Sequence, residues 1–241
     1  MSLLDECVAA YGGLERWRAE EAVEVRVSAR GMAFWMKGDG RPLTGTRCRV
    51  RTTGQHVEFF DWPAPGESAI LTSEEARIGE RSREQPRFGR RWDELDFLAF
   101  GGAAMWTYMS LPFVLADWGA EELPGRRLRF RVPEPIRSHC REQTLHLDDS
   151  CLIVRHEYVA EAFGNWSRAM HVSSRFETFD GLPVPTRRRV RLKPAGPYVV
   201  KVDVSEASFR ARPTKGQHPD RGVPAPCRVE PPARSVARTP H

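Results

Sequence analysis

Residues 92–116 read WDELDFLAFGGAAMWTYMSLPFVLA, and the 20 positions from Phe97 to Ala116 carry no charge. A run of that length matches a membrane span. It nevertheless holds Gly101-Gly102, Thr107, Ser110 and Pro112, and it stands alone in a chain of mean hydropathy −0.51. We read it as a buried helix over 93–110, opened by Trp92, Asp93 and Glu94 and ended by Pro112. Stable membrane insertion is not expected. A helix apolar on every side must be covered on every side, so the rest of the chain has to supply the cover.

On both sides of this run the apolar period is two. VEVRVSA (23–29) sets Val23, Val25, Val27 and Ala29 against Glu24, Arg26 and Ser28, the pattern of a strand with one wet face. GMAFWMKGDG (31–40) reads as the next strand, with Met32, Phe34 and Met36 opposite Ala33 and Trp35. TGTRCRVRTT (44–53) puts Cys48 and Val50 inward and Arg47, Arg49 and Arg51 outward, and HVEFFDW (56–62) follows before the loop PAPGES. The charged stretch 75–94 reads as loop. Beyond the helix, strands are expected at 126–132, 141–148, 151–160, 168–179, 184–192 and 198–209, with a hairpin turn at Asp180-Gly181. A short helix pair, 2–11 and 14–20, is broken by Gly12-Gly13.

About ten antiparallel strands and one very apolar helix predict a β-rich α+β fold. A single curved antiparallel sheet, an open half-barrel, wraps the central helix, and such half-barrels hold lipophilic molecules. One domain should occupy residues 1–211. Residues 212–241 are rich in Pro and Arg with almost no large apolar side chain, and are expected to be a disordered tail.

The 241 residues are 40% hydrophobic and 29% charged, which suits a globular chain. The net charge of +5 and pI near 9.2 raise nucleic acid as a partner. Much of that excess lies in the tail and on alternate strand positions, so no nucleic-acid partner is expected. Five widely spaced cysteines without a C-x-x-C pair give neither a zinc knuckle nor a disulfide framework. The acidic start MSLLDECVAAYGG lacks the apolar core of a secretory signal, which predicts a cytoplasmic protein.

Candidate chemistry lies in RSHCREQTLHLDDSCLIVRHEYVA (137–160). Paired through the DDS turn, its two runs form a hairpin whose apolar face also carries His139, Gln143, His156 and Tyr158. Arg188 shares the inward parity of Val184, Thr186, Val190 and Leu192. A buried arginine needs a carboxylate or a ligand, and Asp93, Asp96 and Glu206 are the candidate acids. In such a setting a histidine can act as general acid or base while Tyr158 or Arg188 stabilises negative charge. The catalytic candidates are therefore His156, Tyr158, His139 and Arg188. Trp35, Met36, Phe100, Met105, Trp106, Tyr108, Met109 and Phe113, with Gln143, form a candidate ligand wall, since Met and aromatics adapt to irregular shapes. Parity places His171 with Arg175 and Glu177, away from the other histidines, so no metal site is expected. Hydrolase-elbow, P-loop and Rossmann signatures are absent, and no cofactor is expected.

The segments YGGLERWRA, WDELDFLAFGGAAMWTYMSLPF and SHCREQTLHLD…LIVRHEY…FDGLPVPTRRRV resemble an uncharacterised family of bacterial proteins of about this length, over residues 10–210. The meander with DGLPVPTRR late in the chain is similar to the lipoprotein-carrier (LolA-like) fold. That resemblance implies an open half-barrel sheltering acyl chains beneath helices. The expected function is binding of a lipophilic small molecule in the half-barrel by a cofactor-independent isomerase, cyclase or lyase of bacterial secondary metabolism. The alternative is a non-catalytic carrier or sensor of such a molecule.

Overall fold

A computed structural model describes residues 1–193 and 196–212. Helices α1 (Leu3–Ala10) and α2 (Leu14–Ala19) precede β1 (Glu20–Arg30). The single turn α3 (Met32–Trp35) leads to β2 (Leu43–Arg51), β3 (His56–Phe60), β4 (Ser68–Thr72), β5 (Ala76–Ile78) and β6 (Arg81–Arg83). Helix α4 (Glu94–Ser110) and the turn α5 (Leu115–Trp118) come next. The chain then returns through β7 (Glu121–Leu123), β8 (Arg127–Arg131), β9 (Glu142–Leu147), β10 (Ile153–Val159), β11 (Arg168–Phe179), β12 (Leu182–Leu192) and β13 (Tyr198–Ala211).

Among the described residues all strands belong to one open antiparallel sheet of 13, ordered β6-β5-β4-β3-β2-β1-β13-β12-β11-β10-β9-β8-β7. Two meanders are thus joined where the first strand meets the last, from Glu20 opposite Ala211 to Arg30 opposite Lys201. Helix α4 carries the chain from one sheet edge to the other. Of its 17 residues, all but Glu94, Phe97, Gly101 and Tyr108 are fully buried. Asp93 caps it, accepting from Asp96 N at 2.9 Å, and Arg83 of the edge strand β6 binds Asp93 at 2.5 Å and Asp96 at 3.1 Å. Among the described residues, no helix is long and apolar enough to cross a membrane.

The α+β half-barrel and the helix over 93–110 stand as read, and Asp180-Gly181 closes the β11–β12 hairpin with φ positive at both residues. Four readings change. Residues 32–36 are not a strand. At Gly31 (φ 155°) a Cβ would meet Val199 O of β13 at 2.1 Å, and beyond it the chain coils into α3, where Trp35 N and Met36 N donate to Gly31 O and Met32 O. The inward pair is then Ala33 and Phe34, while Met32, Trp35 and Met36 are exposed. Strands β5 and β6 replace the expected loop, and β4 and β7 are further additions. The edge strands RSR and EEL carry charges where alternation would be sought, which guards an open sheet edge against pairing with another chain.

The remaining two changes concern the inner face. The register of β11 against β12 is unbroken, with Arg175 (φ 55°) across from Thr186 between the pairs Ser174–Arg187 and Phe176–Pro185. Beyond Ser173 the strand leaves the core, so the polar Arg175 and Glu177 do not mark which face of its first half is wet. His171 points inward with Ala169 and Ser173, opposite Val190 of β12, and is wholly buried. Arg188 is buried as read, but the proposed acids are engaged elsewhere: Asp93 and Asp96 by Arg83, and Glu206 by Arg26. The expected tail at 212–241 lies, from residue 213 on, outside the described residues.

The glycine pair in α4 tests the packing. A Cβ on Gly102 would meet Leu71 Cδ2 at 2.7 Å and its Cβ at 2.9 Å, whereas nothing lies within 4 Å of one on Gly101. Gly101→Ala should stabilise by about 0.5–1 kcal/mol through helix propensity. Gly102→Ala should lose that gain to overpacking against β4 and lower the melting temperature. Thermal melts that shift in the same direction for both would contradict this packing.

Candidate functional site

Helix α4 does not fill the half-barrel along its whole length. Beside its middle turns, a cavity of about 80 Å³ runs between Phe100, Ala104, Met105 and Tyr108 on the helix and the inner faces of β1, β12 and β13. The strands contribute Val27 and Ala29, Val190 and Leu192, and Val200 and Val202, each pair two residues apart as a pleat requires. Ala33, Phe34, Met36, Phe163 and Trp166 complete the lining. The wall is almost entirely apolar.

Of the expected ligand wall, Met36, Phe100, Met105 and Tyr108 line this cavity, joined by Tyr158. Trp35 is 72% exposed and does not. Trp106 turns away, donating Nε1–H to Gly54 O at 3.1 Å and lying 5.8 Å from the Trp118 ring. Met109 and Phe113 border a second recess of about 30 Å³ with Tyr11 and Trp17, whose ring stacks on Phe113 at 4.4 Å. Sequence reading missed the wall given by Leu43, Phe163, Trp166 and β13. The inward alternation Val200, Val202, Val204 was the available signal for β13, but alternation cannot say which buried residues border a space.

Next to the cavity the inner face turns polar. His139 lies in the loop before β9, not in a strand, and the pairing of β10 with β9 and β11 sets His156 opposite Leu145 and His171, and Tyr158 opposite Gln143. The rings form a continuous group. Tyr108–His171 centroids are 4.8 Å apart, His156–Tyr158 5.0 Å, His139–Tyr158 5.3 Å and His156–His171 5.9 Å. Gln143 Nε2 donates to Cys140 O at 2.7 Å. Arg188 donates to Ser173 Oγ at 3.3 Å and Tyr108 O at 3.4 Å, and its guanidinium lies 4.7 Å from the Tyr108 ring centre. Both nitrogens of His139 and of His171, His156 Nε2, Gln143 Oε1 and Arg188 Nε make no hydrogen bond among the described residues.

Burial sets the protonation states. Desolvation holds His139 down to about 4 and holds His156 and His171 well below the ordinary imidazole range, with Arg188 adding to the effect on the latter two. Burial pushes Tyr108 up to about 12 and Tyr158 well above its usual value. The rings are thus neutral near pH 7 and the guanidinium is the one charge among them. Among the described residues, no group of three His, Cys, Asp or Glu side chains is placed to hold a metal ion.

A known structure shows the same fold. The chain is similar to a DUF1329 family protein from Desulfovibrio piger, with a TM-score of 0.51 at 13% identity over 86% of this chain and 91% of that one. That likeness is one of fold. A LolA superfamily protein from Nitrosomonas europaea superposes less closely, with a TM-score of 0.46 at 12% identity over 80% and 87% of the two chains. The lipoprotein LppX of Mycobacterium tuberculosis gives 0.29 at 10% identity over 88% and 97%. No protein-family model matches the chain, and no curated protein does.

The neutral histidines make stability depend on acid. Their folded pKa values lie below the unfolded value of about 6.5, so the unfolded chain binds more protons as pH falls. Stability is full above about pH 6.5 and is lost below it, by about 1.4 kcal/mol per pH unit per ring. The half-buried His56 and His146 are shifted the same way. Denaturant melts between pH 6.5 and 4.5 should show this slope, and His139→Phe should reduce it by about one proton. An unchanged slope in that variant would place the proton uptake elsewhere.

Proposed function

We propose that this protein is a non-catalytic carrier of a lipophilic small molecule, held between α4 and the inner face of the sheet. The observation that supports this reading is the cavity wall: valine, alanine, leucine and aromatic side chains from both meanders converge on one space beside the helix. A curved open sheet around an apolar helix suits a ligand that exchanges with the helix for apolar cover. The small volume fits a closed state in which Met36 and Trp166 stand at the rim.

The catalytic alternative has less to support it. His139, His156 and His171 do not line the cavity, and imidazoles held neutral far below pH 7 are weak bases and very weak acids. Of the four candidate catalytic groups, Tyr158 alone borders the cavity, and its phenol is held protonated.

Binding of a neutral dye such as N-phenylnaphthylamine, followed by fluorescence and displaced by a neutral long-chain alcohol, tests the carrier. Ala104→Phe should fill the space and weaken binding at least about tenfold, or about 1.4 kcal/mol, while overpacking costs about 1–3 kcal/mol of stability. Trp106→Ala should do the reverse: the indole is buried but faces away, so the variant should lose about 3–5 kcal/mol of stability and keep its dye affinity when folded. Undiminished binding by Ala104→Phe would remove the ligand from this cavity.

A further inference from the structure

Arg188 sits inside the half-barrel without a counter-ion. It is 6% exposed, and among the described residues no carboxylate lies within ion-pairing distance of it. Its neighbours are neutral: Tyr108, Tyr11 and Tyr158 are the groups whose charge it senses, and all three phenols are shifted upward. Among the described residues its two hydrogen bonds, to a hydroxyl and a carbonyl, are long, and Nε has no partner. An unpaired buried charge costs several kcal/mol, so its position calls for an anion.

The register connects this cation to the apolar cavity. On β12 the inward residues Arg188, Val190 and Leu192 follow one another, opposite Ser173, His171 and Ala169 of β11. Val190, Leu192 and Ala169 line the cavity, as does Val202, the β13 partner of Arg188. At about 3.3 Å per strand residue, Arg188 lies roughly 7 Å from Val190 and roughly 13 Å from Leu192. Tyr108, against which the guanidinium packs, lines both the cavity and the recess that Arg188 borders. The inner face therefore runs without interruption from a lone cation, flanked by the unpartnered nitrogens of His171, into an apolar trough.

We propose that the carried molecule is an anionic amphiphile, a carboxylate or phosphate on an apolar chain, whose head pairs with Arg188 and whose chain lies along Val190, Leu192 and Val202 beside α4. The proposal rests on the carrier reading and names its ligand class. A planar guanidinium suits either oxyanion, because its paired N–H groups match two oxygens of one head. Neutral imidazoles each retain one N–H and can add a donor to the head without adding charge.

The test compares heads on one chain. Dodecanoate, dodecyl phosphate and dodecanol, each below its micellar concentration, compete for the neutral dye on the full chain. At least one anion should bind about tenfold or more tighter than the alcohol, and the stronger of the two identifies the head. In Arg188→Met the preference should fall to within about twofold while dodecanol affinity is kept, and the unliganded variant should melt no lower than the parent. If the alcohol competes and neither anion competes better, the anionic head is overturned while the carrier reading stands. If no ligand displaces the dye, the carrier reading itself fails. A preference that survives in Arg188→Met places the head elsewhere and also overturns the proposal. Should that variant fail to fold, the comparison of heads on the parent protein decides the matter by itself.

Discussion

The architecture depends on one constraint, which is that α4 is apolar around its whole circumference and cannot face water on any side. A single sheet face covers one side of a helix, so this sheet has to curve. Thirteen described strands hydrogen-bonded in one order, with register irregularities where β1 pairs with β13 and β2 and where β12 pairs with β13, supply a concave face large enough. The route of the chain follows from the same need. It builds one half of the wall outward from β1, crosses the hollow as α4, and builds the other half back to β13, so the pairing of first and last strands completes the wall.

Anchoring the helix at its N-terminus fixes where space remains. Asp93 and Asp96 are held by Arg83 of β6, and Gly102 lets α4 press against Leu71 of β4 where a larger residue would not fit. The helix thus lies close to the first meander. Toward the seam of β1, β13 and β12 its side chains do not reach the opposite wall, and the cavity occupies that gap. A carrier needs such an arrangement: apolar surface that is covered well enough to stay folded, with space beside it that a ligand can enter.

The polar group within the hollow has a different origin. Three histidines, two tyrosines, Gln143 and Arg188 come from α4, the loop before β9 and four adjacent strands, and they meet because the pleat of each strand turns them inward. Low dielectric keeps the imidazoles neutral and leaves the guanidinium charged, since no accessible pH deprotonates it. One cation surrounded by neutral, hydrogen-bond-capable rings is an arrangement that favours an anion over a metal or a proton relay.

Residue patterns by themselves determined the helix over 93–110, the inward faces of β1 and β2, the Asp180-Gly181 hairpin and the burial of His156, Tyr158, Gln143 and Arg188. Each of these rests on local periodicity or turn chemistry, which operates within a few residues. Tertiary structure decided what depends on a distant segment or on one irregular residue. Val199 excludes a side chain at Gly31 and coincides with a helical turn where alternation indicated a strand. Pairing with β12, where Val190 lies opposite His171, puts that ring at the centre, whereas the polar Arg175 and Glu177 in the exposed second half of β11 had indicated a wet face. Arg83 takes Asp93 and Asp96, and Arg26 takes Glu206, the carboxylates that composition offered to Arg188. The position of the cavity, too, was decided by the gap between α4 and the seam, because an inward-facing residue either packs against a neighbour or borders a space, and only the distance between two remote elements distinguishes these outcomes.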